Sequence, residues 1–158
     1  MSTNLVVAYQ TAQSSELRAV LLEIKRLDPT ANFVLLVPAT RPEHLLRRTE
    51  GDGREAAERV AREAAEALSA AGLNVTRTVV GDESPVVAIE EEVRDARVAY
   101  DRIILCTFPV GISHWLRLDW PHQVQRRFGA AVTHVVANSA WINQEELQEI
   151  LSSAADAD

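Results

Sequence analysis

Cys106 stands near the end of an expected strand from Arg102 to Thr107 and is the only cysteine in the chain. A thiol there would act as a nucleophile only with a base to take its proton and donors to hold an oxyanion. No Cys-His-Asp ordering supplies them, so a buried structural thiol is expected. His114, Asp119 and His122 follow, but they straddle a loop and a helix start without a recognised ligand spacing, and no metal is expected. Arg117, Arg126 and Arg127 could hold a phosphate or a partner's carboxylate. Arg126 and Arg127 end a helix whose dipole already favours cations, which leaves Arg117 as the ligand candidate. Arg47 and Arg48 read as a solvated face. Thr107, Gly111 and Ser113 offer the hydroxyl and backbone donors from which an anion nest can be built.

These residues must be placed by strands and helices that the sequence marks plainly. Leu5 to Tyr9, Phe33 to Val37 and Arg102 to Thr107 are apolar runs without alternation, as for strands buried on both faces. Asn74 to Val80 alternates, as for an edge strand with one wet side, and Val132 to Val136 is a fifth strand. Between them lie helical stripes. Ser14 or Ser15 caps the first, with Leu17, Val20, Leu21, Ile24 and Leu27 on one face, and Asp28-Pro29 ends it. Asp52 with Glu55 reads as a capping box for the second, which carries Ala57, Val60, Ala61, Ala64 and Leu68 and stops at Gly72. Pro85 opens the third, where Val86, Val87, Ile89, Val93 and Ala96 face the core and Glu90-Glu91-Glu92 mostly face water. A short fourth runs from Asp119 or Trp120 to Phe128. Asn143 and Glu146 signal a terminal helix with Trp141, Ile142, Leu147, Ile150 and Leu151 as its apolar set, and 152–158 is a frayed tail.

The order β-α-β-α-β-α-β-α-β implies a parallel sheet with right-handed crossovers. A chain of 158 residues with 47% hydrophobic and 25% charged residues fits one globular domain. No apolar run is long enough for a membrane span, and the N-terminus lacks a basic leader. The lone cysteine fits a reducing compartment, and a cytoplasmic location is expected. A net charge of −7 excludes general nucleic-acid binding. The charge is uneven: residues 1–49 sum to +2 and 102–140 to +3, against −7 for 50–101 and −5 for 141–158. The positive segments carry the strand ends around a central crevice, which points to a small anionic ligand.

Three local signatures make the chain resemble the universal stress protein family over about residues 4–137. Val80-Gly81-Asp82 leads through Ser84-Pro85 into the third helix, as in that family's G-D-P turn. Asp101-Arg102-Ile103-Ile104-Leu105 matches its D-L-I-V-V opening of strand four. Arg126 to Val136, RRFGAAVTHVV, matches its closing L-R-H-A-P-C-P-V-L-V-V. The resemblance implies an open five-stranded parallel sheet in the order 3-2-1-4-5, Rossmann-like, with helices on both faces. It divides the chain into an α/β domain at 1–140 and a C-terminal helix with its tail at 141–158.

Nucleotide-binding members of that family carry G-x-x-G-x9-G-[ST] after strand four. Glycine there lets backbone N–H groups approach phosphate. In this chain the glycine positions fall on Cys106, Pro109 and Asp119, the hydroxyl position on Trp120, and the family's adenine-side aspartate on Gln10. Proline removes a donor, Asp119 adds negative charge and Trp120 adds bulk. The resemblance therefore implies a regulatory, stress-related binding protein in which ATP is not held in the family's usual way, and no cofactor is expected. The alternative is a sensor that binds a nucleotide or other anion through a rebuilt loop. Ligands of open parallel sheets sit beyond the strand ends where the winding reverses, here between strands one and four. Tyr9, Gln10, Thr11, Val37, Thr107, Gly111, Ser113 and Arg117 are the candidate ligand-binding residues. No acid/base pair or metal set can be named, so no catalytic residue is assigned. The family commonly dimerises through the last strand, which implies a homodimer with Val132, His134, Val135, Val136 and Trp141 as candidate interface residues.

Overall fold

The computed structural model describes residues 1–39, 50–107, 120–128 and 131–137. The elements in chain order are β1 (Thr3–Val7), α1 (Ser15–Leu27), β2 (Asn32–Pro38), α2 (Glu50–Ala70), β3 (Asn74–Gly81), α3 (Pro85–Asp95), β4 (Arg102–Thr107), α4 (Trp120–Phe128) and β5 (Val132–Val136). The strands form one sheet in the order β3-β2-β1-β4-β5, and every neighbouring pair is parallel. That is the expected order. The winding starts at β1, moves outward to β3, then returns to β4 on the other side of β1. Right-handed crossovers in opposite directions along a sheet place their helices on opposite faces.

Side-chain alternation in the central strands shows the two faces. Val6, Phe33, Leu35, Ile104 and Cys106 join Leu17, Leu21, Ala57, Ala61, Ala64 and Leu68 of α1 and α2 in one core. Leu5, Val7, Val34, Leu36, Ile103 and Leu105 join Ala88, Ile89 and Val124 of α3 and α4 in the other. Burial on both faces explains why these strands read as unbroken apolar runs. The edge strand β3 has no buried residue, and its register slips between Phe33 and Val34, leaving Thr76 as an extra residue.

Local signals account for most boundaries. Ser14 Oγ accepts from the Leu17 N–H at 3.3 Å, so Ser14 is the cap of α1. Asp28 ends α1 and staples it to β1, accepting from the Ser2 N–H and hydroxyl, each at 2.8 Å. The bond from the Thr30 hydroxyl, followed by these from Ser2, holds its carboxyl well below the usual carboxylate range. Gly72 has φ +94°, and the bonds Leu73 N–H to Leu68 O and Gly72 N–H to Ser69 O close a Schellman turn after α2. Gly81 is required for a different reason. A Cβ there would stand 2.6 Å from the Ala88 Cβ and 3.0 Å from the Leu36 Cδ1, so glycine lets α3 lie directly on the end of β3.

Several expectations need correction. β1 spans Thr3–Val7 rather than Leu5 to Tyr9: the Ala8 N–H still reaches the Leu36 carbonyl of β2, but from Tyr9 the chain turns toward α1. α2 begins at Glu50, so Asp52 lies inside the helix and is not its cap. Leu27 and Val87 are exposed rather than core. Glu92 does not face water: it is 7% exposed, ion-paired with Arg77 of β3 and hydrogen-bonded by the Tyr100 hydroxyl at 2.6 Å. Burial and the Glu92 bond push the Tyr100 phenol up to about 12. The predicted terminal helix lies outside the described residues, as do Trp141 and residues 40–49 and 108–119.

Candidate functional site

The winding reverses between β1 and β4, so the crevice lies beyond Val7 and Thr107. The chain leaves β1 through a tight turn in which the Ala12 N–H bonds to the Tyr9 carbonyl and the Ser14 N–H to the Thr11 carbonyl. This turn sets Tyr9 and Gln10 half-buried at the mouth and Thr11 buried beneath them. Burial pushes the Tyr9 phenol up, and the nearby Arg59 guanidinium of α2 partly opposes it. Arg59 was not among the residues singled out from sequence. No local motif marks it: Arg59 lies midway along α2, and its nearness to Tyr9 comes from the packing of that helix.

Among the described residues, the Thr11 and Thr107 hydroxyls at the strand ends are both engaged within the protein. Thr11 Oγ1 donates to the Cys106 carbonyl at 2.8 Å, a bond that stitches the β1 turn to the end of β4. Thr107 Oγ1 lies 2.7 Å from His134 Nε2, linking β4 to the edge strand β5, and its carbonyl accepts from the Ala137 N–H at 2.8 Å. Burial, and secondarily the proximity of His122 on α4, lower the His134 pKa and favour the neutral ring. A neutral imidazole offers Nε2 as an acceptor for the Thr107 hydroxyl.

Cys106 is wholly buried, with Ser14 Oγ 3.6 Å from its sulfur. Burial pushes its thiol up, against smaller opposing effects from Thr11 and Ser14. A raised pKa and no access describe an inert thiol. Val37 is also wholly buried, within the α1–α2 core rather than on the crevice wall. The structure thus brings Tyr9, Gln10, Thr11 and Thr107 together around the strand ends. Gly111, Ser113 and Arg117 lie outside the described residues, as do Pro109 and Asp119.

On the edge strand, Val135 turns into the α1–α2 core, while Val132 packs partly against the α3–α4 core. His134 and Val136 are exposed. Among the described residues no group of His, Cys, Asp or Glu could hold a metal ion, and no helix is long and apolar enough to cross a membrane.

A doubly wound parallel sheet with a crevice at its switch point defines this chain as a Rossmann-like α/β protein. Among solved structures it is similar to a crystal structure of a universal stress protein in complex with cAMP. The two share 18% sequence identity with a TM-score of 0.51, over 87% of this chain and 97% of that one. The likeness is one of fold, and it agrees with the order 3-2-1-4-5 observed here. No protein-family model matches the chain. No curated protein matches it either.

Proposed function

We propose that this chain is a universal-stress-protein-like cytoplasmic regulator that acts by binding and partner contact, with no bond-making chemistry. Its α/β domain covers 1–140, and 141–158 is a C-terminal appendage. It pairs with a second copy through β5, where His134 and Val136 are exposed, and ATP is not held by the family's phosphate loop. The observation that carries this reading is the internal commitment of two threonines at the strand ends: Thr11 bonds the Cys106 carbonyl and Thr107 bonds His134. A phosphate needs donors aimed at it, and these two are spent on strand ends. The substitutions at Cys106, Pro109, Asp119 and Trp120 support the same conclusion from sequence. Thermal shift with ATP, ADP and AMP tests it, with no stabilisation expected. Light scattering at dilute concentration tests the pairing; a clean 17.4 kDa monomer would remove it.

A second reading is a sensor for a small anion or mononucleotide in the same crevice. It is favoured by the cAMP-bound state of the similar structure, and by Arg59 standing near Tyr9 at the mouth. Gly111, Ser113 and Arg117 would supply the rebuilt loop. Stabilisation by cyclic AMP or inorganic phosphate that is lost in Arg117→Ala would support this reading over the first. The absence of any effect would dismiss it.

A further inference from the structure

A cavity of about 420 Å3 opens between the ends of α3 and α4, over Ile103 of β4. Ile103 is the second residue of that strand and Thr107 the last. The cavity and the crevice are therefore at opposite ends of the sheet, about 13 Å apart at roughly 3.3 Å per residue. Val93 and Phe128 form apolar walls, and the Tyr100 ring forms another. That ring is fixed in place because its hydroxyl is bonded to the buried Glu92 carboxylate at 2.6 Å. Val98 stands at the rim with 53% of its surface exposed, an aliphatic side chain held in water beside an apolar hollow.

Among the described residues of the lining Arg97 is the one charged side chain, and it is exposed. Among the described residues, four nearby carboxylates have other partners. Glu92 holds Arg77 and Tyr100, Asp95 holds Arg94, Glu90 pairs with Arg127, and Asp101 accepts from the Thr3 N–H. The volume falls within the roughly 300–1,000 Å3 typical of small-molecule sites, which are mostly apolar with a few orienting polar groups. An apolar hollow with a single cation at its edge complements a molecule with an apolar body and one anionic end. We propose that this cavity binds a small amphipathic carboxylate, of the size of a medium-chain fatty acid. The body would lie against Ile103, Val93 and Phe128 and the head at Arg97. This site is independent of the crevice and of any ligand there.

Titration of the 15N-labelled full chain with octanoate, hexanoate, acetate and octanol tests it by NMR. Octanoate is expected to shift the amides of Val98, Tyr100, Ile103 and Phe128 while leaving Tyr9 and Thr11 in place. Hexanoate should bind roughly tenfold more weakly for its two missing methylenes, and acetate should not bind. Arg97→Gln should weaken octanoate roughly two- to fivefold, as for an exposed ion pair. Ala99→Trp, which crowds the mouth, should abolish the shifts; Val98→Asp serves if that variant does not fold. No shifts with octanoate, or equal binding of octanol and octanoate, would overturn the proposal. So would shifts at these amides that grow with protein concentration alone, since a second copy would then be the occupant.

Discussion

Thr107 and His134 meet across two parallel strands, Thr107 Oγ1 lying 2.7 Å from His134 Nε2. The contact joins the last residue of β4 to the edge strand, at the lip of the crevice. His134 has its pKa lowered by burial and by His122. A depressed pKa means the unfolded chain takes up a proton before the folded one. Stability from this group is therefore full above its ordinary value of about 6.5 and is lost as pH falls through the folded-state value. An imidazole NMR titration should give a midpoint below 6.5 for His134, and His134→Gln should flatten the acid side of the Tm profile. A midpoint at or above the ordinary value would contradict the partly desolvated, neutral ring.

Tyr100 behaves oppositely with pH. Its phenol is raised from 10.0 to about 12, so its contribution is full below pH 10 and is lost as pH rises from there toward 12. Ultraviolet titration of Tyr9→Phe, which leaves Tyr100 as the one tyrosine, should show ionisation well above 10. Glu92→Ala should bring that value down and cost about 1–3 kcal/mol, since Arg77 and the Tyr100 hydroxyl both lose their buried partner. Urea denaturation measures the loss; an unchanged midpoint would place Glu92 in solvent.

Gly81→Ala is expected to destabilise the fold by about 1–3 kcal/mol, the usual cost of overpacking. The added Cβ meets the Ala88 Cβ at 2.6 Å, and the neighbouring backbone leaves little room for it to yield. Pairing Gly81→Ala with Ala88→Gly should recover part of the loss. Chemical denaturation of both variants checks this, and a neutral single variant would mean that α3 stands further from β3.

Cys106 should react with a thiol reagent only when the chain unfolds, because the group is buried and its pKa is raised. The labelling rate in native buffer should rise with urea in step with loss of helical signal. Rapid labelling of the native protein would mean that the end of β4 opens.

The architecture was legible because burial on both faces leaves an unmistakable mark. Leu5 to Val7, Phe33 to Val37 and Ile103 to Cys106 have no polar positions, and the helices between them have clear stripes. Glu92 was missed for a physical reason: three consecutive glutamates look like one solvated face, and the partners that bury the third are distant in sequence. Asp52 failed as a cap because a capping box is a local pattern, whereas α2 starts earlier, at Glu50. The crevice was legible as a place, since topology alone fixes the switch point. What its threonines do was not. The Thr11–Cys106 and Thr107–His134 contacts depend on turn geometry and strand register, which residue types do not encode.

The central claim is that the crevice does not grip ATP. Thermal denaturation with millimolar ATP and magnesium tests it most directly. Ligand at a hundredfold excess over its Kd would add about 2.7 kcal/mol, or roughly 5–10 degrees for a chain of this size. The account predicts a shift of less than about one degree in Tm, within the scatter of such a measurement. A reproducible rise of several degrees with ATP would contradict it.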